Sequence, residues 1–469
     1  MARREEGGNL AERLSEYAGS VGYSQLGEEV VLEAKKRVLD SLGCAIGAFG
    51  EVPVRIARKV ATAPSRAGGG SSVLGTGFKA SPEVATFVNG LMVRYFDYND
   101  TYLSKEPAHP SDNISACLAV AEVEEASGRD LLAAIALAYE VQCRLCDAAD
   151  IRHRGWDHVC YGLVSSALAA GRLMGLPARK LTHAVNISLN SHLAMRQVRA
   201  GELSEWKGAS FANAARNAVF SSLLAAGGMT GPSPVFEGEM GFFKQVSGPF
   251  ELDVEGFGGG RKKTDSGGSF KLRETYIKYF PAEYHAQSAI WAALRARRAV
   301  SSIEEIESVS VETHEAGYTI LSKDREKWAP TTKETADHSL PYMVGMALLR
   351  GGVDNSTYSA RNLRDPRVLS FLKRIEVKED RALTAVYPAH IANRVTLRLK
   401  GGRTVTEQVD DPRGHPNDPM TREEVEEKFL RLTRRYLTEA DAREIAKFVW
   451  SLERRRPSEL AELCVVRSG

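Results

Sequence analysis

Apolar residues recur at helical spacing through the first half of the chain, and this pattern restricts the fold more than any other feature. In Glu28–Gly47 they fall three or four positions apart, on one stripe of a helix: Val31, Ala34, Val38, Leu42 and Ala45. Further segments show the same period, several of them apolar on nearly every side: Pro82–Tyr95, Asp112–Glu125, Leu131–Ala149, Val159–Met174, Ala178–Leu189 and Ser210–Ala226. Helices of that kind belong inside a bundle. The sequence therefore predicts a large all-helical domain.

A different pattern follows the stretch Gly256–Gly268, whose glycines and basic residues are typical of a flexible connector. Beyond it, apolar and polar residues alternate, as expected for strands. The segments Val395–Leu399 and Val405–Val409 flank Gly401 and Gly402, which predicts a β-hairpin.

Helical segments interleave with these strands at Ala282–Val300 and Leu340–Leu349, and the helical pattern returns from Thr421. We expect a mainly α protein, in which a smaller α+β domain with an antiparallel sheet is inserted near the end of the helical domain. The predicted boundaries place residues 1–268 and 411–469 in the helical domain and residues 269–410 in the inserted domain.

Charge and composition exclude several classes of protein. The net charge is +2 over 469 residues, which argues against a nucleic-acid-coating protein. The longest apolar run, Leu131–Tyr139, is about half of the ~20 residues that cross a bilayer, and the first residues lack the apolar core of a signal peptide. We expect a cytoplasmic protein without a nucleic-acid or membrane partner.

The six cysteines include one closely spaced pair, Cys143-x-x-Cys146. A zinc or iron–sulfur site needs three or four ligands, and the other cysteines stand at no matching spacing. Because the pair falls inside a predicted helix, we interpret it as two buried helical cysteines rather than a metal or redox site.

Four histidines share one context, the start of a predicted helix: His109, His158, His285 and His338. A helix N-terminus offers free N–H groups and partial positive charge, so an imidazole beside it makes an anion site with an acid–base group. The alternative for each is a local hydrogen-bonding residue. The remaining histidines lack this context, and we interpret them as structural or solvent-facing: His153, His183, His192, His314, His390 and His415.

Two further features are candidates for chemistry. Asp97, Asn99, Asp100 and Thr101 cluster after an apolar helix, either as a turn or as functional groups; an EF-hand loop is excluded because its central Gly and closing Glu are missing. Lys207 precedes an Ala-rich helix and is either a solvated charge or a ligand for a substrate carboxylate.

Together these groups suit proton abstraction next to a carboxylate, where a base takes the proton and cations stabilise the developing charge. No Gly-x-Gly-x-x-Gly fingerprint, P-loop, serine-hydrolase elbow or His-Glu-x-x-His sequence occurs. The residues by themselves predict a lyase or an isomerase.

Several motifs, in this order along the chain, resemble the MmgE/PrpD family: Arg37–Cys44, Tyr95–Tyr102, Ala108–Asn113, Arg154–Val159, Phe280–Gln287 and Asp337–Met343. The similarity extends from about Ala11 to Leu432. The resemblance implies a helical domain with an inserted lid domain, a homodimer, and catalysis without a metal, iron–sulfur cluster or other cofactor. We assign no role to the tail beyond Leu432.

The resemblance also implies which residues form the site. The catalytic set that it indicates is Asp97, His109, His158, Lys207 and His285. The substrate-binding set is Thr101, Lys278, His338 and Tyr342, with Lys278 and Tyr342 on the lid side.

The family includes 2-methylcitrate dehydratase, cis-aconitate decarboxylase and an epimerase of aspartate-derived acids. The complete sequence motifs His109–Asn113 and Asp157–Val159 resemble those of the dehydratases most. The expected function is therefore cofactor-independent removal of water from the tricarboxylate 2-methylcitrate to give 2-methylaconitate in propionate catabolism, with citrate or related tricarboxylates as further substrates. The alternatives are decarboxylation of cis-aconitate and a non-catalytic helical scaffold.

The two crossings between the predicted domains, Gly256–Gly268 and Asp410–Gly414, are rich in turn residues. They predict a hinge. Because the site residues lie on both sides of it, we expect a site assembled across the domain interface and completed by closure, which expels water. A rigid two-domain body is the alternative.

Overall fold

The computed structural model describes residues 8–61, 70–201, 203–260 and 269–466. Its first half contains, in chain order, α1 (Leu10–Ser20), α2 (Glu28–Gly47), α3 (Val52–Ala61), β1 (Ser71–Ser72), β2 (Lys79–Ala80), α4 (Pro82–Arg94), α5 (Ile114–Val123), α6 (Gly128–Ala148), α7 (Val159–Leu173), α8 (Ala178–Ser191) and α9 (Trp206–Ala226). The helices predicted for this half are confirmed. α9 starts four residues before its predicted first residue, so Lys207 lies in its first turn rather than ahead of it.

Burial explains why the apolar pattern is so continuous in this half. α9 packs against α4, α7 and α8, and every residue of α7 from Val159 to Gly171 is buried. A helix surrounded by other helices needs no polar face. Local signals set the helix starts: Ser127 caps α6 through a capping box, and Pro82 occupies the first turn of α4.

The second region contains a small sheet and short helices. Its elements are α10 (Gln287–Arg297), β3 (Ile306–Thr313), α11 (Glu315–Leu321), α12 (Lys333–Ala336), α13 (Leu340–Arg350), α14 (Ala360–Leu363), α15 (Pro366–Leu372), β4 (Ile375–Glu379), α16 (Arg381–Val386), β5 (Asn393–Leu399) and β6 (Thr404–Val409). The predicted hairpin is confirmed as β5 and β6, and Gly401 and Gly402 in its turn have φ values of 90° and 86°.

The sheet is mixed, so the expectation of an antiparallel sheet was wrong. The strand order is β4-β3-β5-β6, and β4 runs parallel to β3 with Val309 opposite Ile375. The chain passes through α11 to α15 between these two strands and returns in the same direction. A crossover of that length is what a parallel pair requires.

Three further helices complete the chain: α17 (Arg422–Thr433), α18 (Glu439–Trp450) and α19 (Pro457–Leu463). They pack with the first region, and Gly43 of α2 lies so close to α17 that an added Cβ would be 3.2 Å from the Phe429 ring. Apolar residues between positions 280 and 409 form a second buried cluster, separate from the core of the first region. A small third cluster of Leu103, Tyr276, Tyr284 and Ile391 lies between the two.

The mainly α class is therefore confirmed, whereas the domain boundaries and the lid role stay predictions. Of the predicted connector, residues 261–268 lie outside the described residues. The second crossing is hydrogen-bonded: the N–H of Ile277 donates to the Gly414 carbonyl at 3.1 Å. Both Cys143 and Cys146 are buried in α6, as expected. No helix in the described ranges combines the length and apolarity needed to cross a membrane.

Candidate active site

Asp97 lies at the centre of a group of cations. Lys278 Nζ is 2.7 Å from its Oδ1 and 2.9 Å from its carbonyl oxygen, and Lys207 Nζ is 3.3 Å from its Oδ2. Arg94, in the last turn of α4, pairs with Oδ1. Burial by itself raises the pKa of Asp97, but Arg94, Lys207 and Lys278 outweigh burial and hold it well below its usual range. Asp97 is therefore ionised.

Asp337 supplies a second carboxylate to the same lysine. Lys207 Nζ lies 3.3 Å from Asp337 Oδ1, and Lys333 Nζ lies 3.1 Å from Oδ2. His338 Nδ1 is 2.7 Å from Asp337 Oδ1 and 3.1 Å from Lys207 Nζ. Because Lys207 belongs to α9 and Asp337 follows α12, this contact joins the first region to the second.

His109 has both ring nitrogens occupied. Nδ1 lies 2.8 Å from the Asp100 carbonyl oxygen and 2.9 Å from Thr101 Oγ1, while Nε2 lies 2.9 Å from the Arg94 guanidinium. A carbonyl can only accept, so Nδ1 carries the hydrogen and Nε2 accepts from Arg94. Burial, followed by Arg94 and Lys278, holds the pKa of His109 well below its usual value. His109 is a neutral ring with no free lone pair.

His158 differs from His109 in having one free nitrogen. Its Nδ1 lies 2.8 Å from Asp157 Oδ1, and Arg199 Nε holds the other carboxylate oxygen at 2.7 Å. Within the described residues its buried Nε2 has no hydrogen-bond partner. Burial lowers the pKa of His158 to about 4, so the ring is neutral at pH 7 and Nε2 is a lone-pair acceptor.

His285, on the turn before α10, is held by a carboxylate in the same way. Its Nδ1 lies 2.8 Å from Glu283 Oε1, and its backbone N–H donates to Oε2 at 2.8 Å. Its Nε2 lies 3.3 Å from the hydroxyl of Tyr387. The backbone N–H of Glu283 donates to the Asp337 carbonyl at 2.9 Å, which connects this histidine to the group around Lys207.

Lys428 of α17 fixes the backbone around Asp97 and Lys278. Its side chain is 1% exposed, and its Nζ donates to the carbonyl oxygens of Tyr98 and Lys278, each at 2.8 Å. Asp40 of α2 neutralises it at 2.6 Å. A buried lysine without such partners would be costly, so the three contacts explain how this charge is tolerated.

The structure brings most of the predicted residues together and leaves one apart. Lys207, Lys278 and His338 each contact Asp97, and Thr101 contacts His109. Tyr342 lies in the second core, where its hydroxyl donates to the Thr357 carbonyl at 2.8 Å. That hydroxyl is already engaged inside the core.

Sequence reasoning missed several residues that complete the site: Arg94, Asp157, Glu283, Asp337, Tyr387 and Lys428. Asp157, Glu283 and Asp337 each stand within two residues of a predicted histidine, so a carboxylate beside a histidine was the available signal. Arg94 ends a mainly apolar helix, which is also visible in the sequence. Tyr387 and Lys428 have no local signal, because their partners are distant in the chain.

The donor set also permits a test for a metal. Asp97, Asp337 and His338 offer ligand atoms within 4.8 Å of one another. The ammonium of Lys207 contacts all three, at 3.3, 3.3 and 3.1 Å. A resident cation already neutralises these donors, so they do not fit a metal site; catalysis without a metal stays a prediction.

With this geometry in place, the comparison with known families decides the assignment. Residues 12–255 match the MmgE/PrpD N-terminal domain, and residues 280–454 match the MmgE/PrpD C-terminal domain. The chain belongs to the MmgE/PrpD family. The predicted resemblance is thereby confirmed.

Relatives in this family support the same assignment. The chain is 30% identical to the 2-methylcitrate dehydratase of Cupriavidus necator over 409 residues, 81% of each chain. It is 30% identical to the 2-methylcitrate dehydratase of Escherichia coli over 415 residues, 81% of this chain and 80% of that one. The mitochondrial 2-methylcitrate dehydratase of Yarrowia lipolytica is 27% identical over 369 residues, 74% of this chain and 69% of that one. The expected enzyme class, a carbon–oxygen lyase, is confirmed for this MmgE/PrpD protein.

Proposed function

We propose that this MmgE/PrpD enzyme removes water from 2-methylcitrate to give 2-methylaconitate, a step of propionate catabolism. The names of the relatives support the substrate. The proposal extends to citrate and related tricarboxylates as further substrates, since the same cations would bind their carboxylates.

The observation that carries the proposal is the free Nε2 of His158. Removing water requires a base that takes a carbon-bound proton, and a base must have an unoccupied lone pair. His158 has one, and Asp157 stabilises the imidazolium that forms when the proton arrives. Its neighbour His109 cannot serve, because Arg94 occupies its lone pair.

The surrounding charges favour a substrate with several carboxylates. Four cations, Lys207, Lys278, Lys333 and Arg94, surround the two ionised carboxylates of Asp97 and Asp337. The excess positive charge stabilises the substrate and the negative charge that develops on a carboxylate when the adjacent proton leaves.

A nearby acid, Asp112, does not reverse this balance. It lies 3.9 Å from Arg94, and burial raises its pKa to about 7. Even when Asp112 is ionised, the cations exceed the carboxylates, so the site retains its attraction for an anionic substrate.

The departing hydroxide needs a proton, and His285 is the group that we assign to supply it. Glu283 remains ionised, because His285 outweighs the effect of burial and lowers the pKa of Glu283 to about 2. An ionised Glu283 accepts the Nδ1 hydrogen of His285, which leaves Nε2 to exchange the proton. Base and acid then come from the two different regions of the chain.

The decisive experiment is direct product analysis with purified enzyme. We expect the enzyme to convert 2-methylcitrate to a conjugated alkene at the same rate with and without EDTA. The absorbance of the alkene measures that rate. Loss of turnover with EDTA would contradict the metal-free mechanism. Carbon dioxide from cis-aconitate, without alkene from 2-methylcitrate, would favour decarboxylation; failure of every acid tested to bind would favour the scaffold.

The lid, the homodimer and the cytoplasmic location belong to the same proposal. The Lys207–Asp337 contact supports a site that is completed when the two regions close on each other. Small-angle scattering should show a more compact particle with a bound tricarboxylate. A small-angle scattering curve that does not change when the tricarboxylate binds would contradict closure. Light scattering after size exclusion tests the dimer.

A further inference from the structure

Tyr387 occupies the remaining hydrogen-bonding position of His285. It follows α16, and its hydroxyl lies 3.3 Å from His285 Nε2. Since Glu283 already accepts the Nδ1 hydrogen, Nε2 is the nitrogen through which His285 exchanges a proton with the site. The phenol therefore stands between His285 and anything that His285 protonates.

The ring of Tyr387 is fixed on both sides. It stacks on His314 with the ring centres 4.7 Å apart and the planes 15° from parallel. It also packs against the third cluster, which includes Leu103 of the first region and Ile391 of the second. Tyr387 is thus placed at the junction where the two regions meet, although its residue is only half-buried.

His314 supplies a neutral surface for this stacking. Its Nδ1 accepts the Gly317 N–H at 3.2 Å, and it is fully buried. Burial lowers the pKa of His314 to about 3, so no charge arises there at neutral pH. His314 positions Tyr387 without competing for its proton.

The charged groups that act on Tyr387 leave it a donor. Burial raises its pKa to about 12, with Glu283 and Glu315 acting in the same direction and Arg152 opposing them. At neutral pH the hydroxyl is protonated.

We propose that Tyr387 is a further catalytic residue, the group that passes the proton of His285 to the departing hydroxyl. As the carbon–oxygen bond breaks, the Tyr387 hydroxyl gives its proton to the leaving oxygen, which departs as water. Protonated His285 replaces that proton from Nε2 and becomes neutral. His158 has meanwhile gained the carbon-bound proton, so the charges balance and solvent restores both histidines. This role rests on the proposed function.

The test uses a leaving group that needs no proton. Fluoride is a far weaker base than hydroxide, so an analogue of 2-methylcitrate with fluorine in place of the tertiary hydroxyl bypasses the acid. We expect Tyr387→Phe to lower kcat on 2-methylcitrate at least about 10²-fold and on the fluoro analogue less than about fivefold. Tyr318→Phe, on α11 of the same region, is the matched control and should behave like the wild type.

A second measurement checks that the two groups act in series. His285→Gln should show the same dependence on the leaving group, and the double variant should lose no more than the worse single variant. Should Tyr387→Phe not fold, Tyr387→Leu, which keeps an apolar side chain against His314, takes its place.

The outcomes separate this role from the proposed function. A wild-type enzyme that does not turn over 2-methylcitrate overturns both. A wild-type enzyme that does, with Tyr387→Phe equally fast, overturns the role of Tyr387 alone. Equal slowing of both substrates also overturns it, since a merely structural phenol would affect fluoride and hydroxide alike.

Discussion

His109 and His158 are neighbours with opposite chemical capacity. Their ring centres lie 5.7 Å apart, and burial and nearby cations hold both rings neutral. Arg94 and a backbone carbonyl occupy both nitrogens of His109, whereas Asp157 engages only one nitrogen of His158. In this protein a histidine at a helix start is therefore not a base by position alone, because a base also needs a ring nitrogen whose lone pair is free.

The strongest test of this difference is to replace each histidine with glutamine, starting with His158. We expect His158→Gln to lower kcat roughly 10²–10⁴-fold with little change in KM, because glutamine cannot accept a proton from carbon. Steady-state kinetics on 2-methylcitrate measure it. If the His158→Gln enzyme kept the wild-type kcat, His158 would not be the base.

The next largest effect is expected from the carboxylate behind His158. Asp157→Asn removes the charge that stabilises the imidazolium, and it leaves either Arg199 or His158 Nδ1 facing an NH₂ group instead of an acceptor. We expect a loss of about 10² in kcat. An unchanged kcat would mean that Asp157 serves only to orient the ring.

A smaller effect is expected at His109. Glutamine can reproduce both hydrogen bonds, accepting from Arg94 through its oxygen and donating to the Asp100 carbonyl through its nitrogen. His109→Gln should therefore stay within about tenfold of wild type, with the change mainly in KM. A loss in kcat as large as that of His158→Gln would show that the two rings share the proton transfer.

The pH dependence gives the subtlest distinction. The base must be neutral, and burial lowers the pKa of His158 to about 4, so kcat should be flat from neutral pH down to about 5 and fall as the pH drops through about 4. A histidine with an ordinary pKa would instead lose activity near 6.5. Measuring kcat at saturating substrate separates these outcomes, and a midpoint near 6.5 would contradict a buried, desolvated base.

The sequence predicted the parts of the molecule that depend on local order. Apolar periodicity located the buried helices, and the glycine pair located the hairpin turn. The motifs placed Asp97, Lys207 and His338, which do meet. The helices and the hairpin depend on residues a few positions apart, which a single sequence displays directly, whereas only the family resemblance implied that these three distant residues share a site.

Features that depend on distant residues could not be predicted. The parallel pairing of β4 with β3 joins residues 66 positions apart, Val309 and Ile375. Helix α13 is apolar on most sides, so nothing in its sequence showed that Tyr342 points its hydroxyl to Thr357 inside the core. His314 is structural, as one of the two interpretations offered for it holds, but its sequence did not show that it stacks on the tyrosine beside His285.

The position of Lys428 has a consequence for how the protein is made. During synthesis the N-terminal part of a chain emerges first and begins to fold as a unit. Two parts of this protein depend on α17, which is synthesised late. Lys428 donates to the backbone carbonyls of Tyr98 and Lys278, and Phe429 packs against α2. The ribosome must translate about nine tenths of the chain before the site can take its final form, so until then these carbonyls lack their protein donor and an apolar surface of the helical half stays uncovered. A chain that stalls before Arg422 is expected to be a substrate for chaperones or proteases rather than a partly active enzyme.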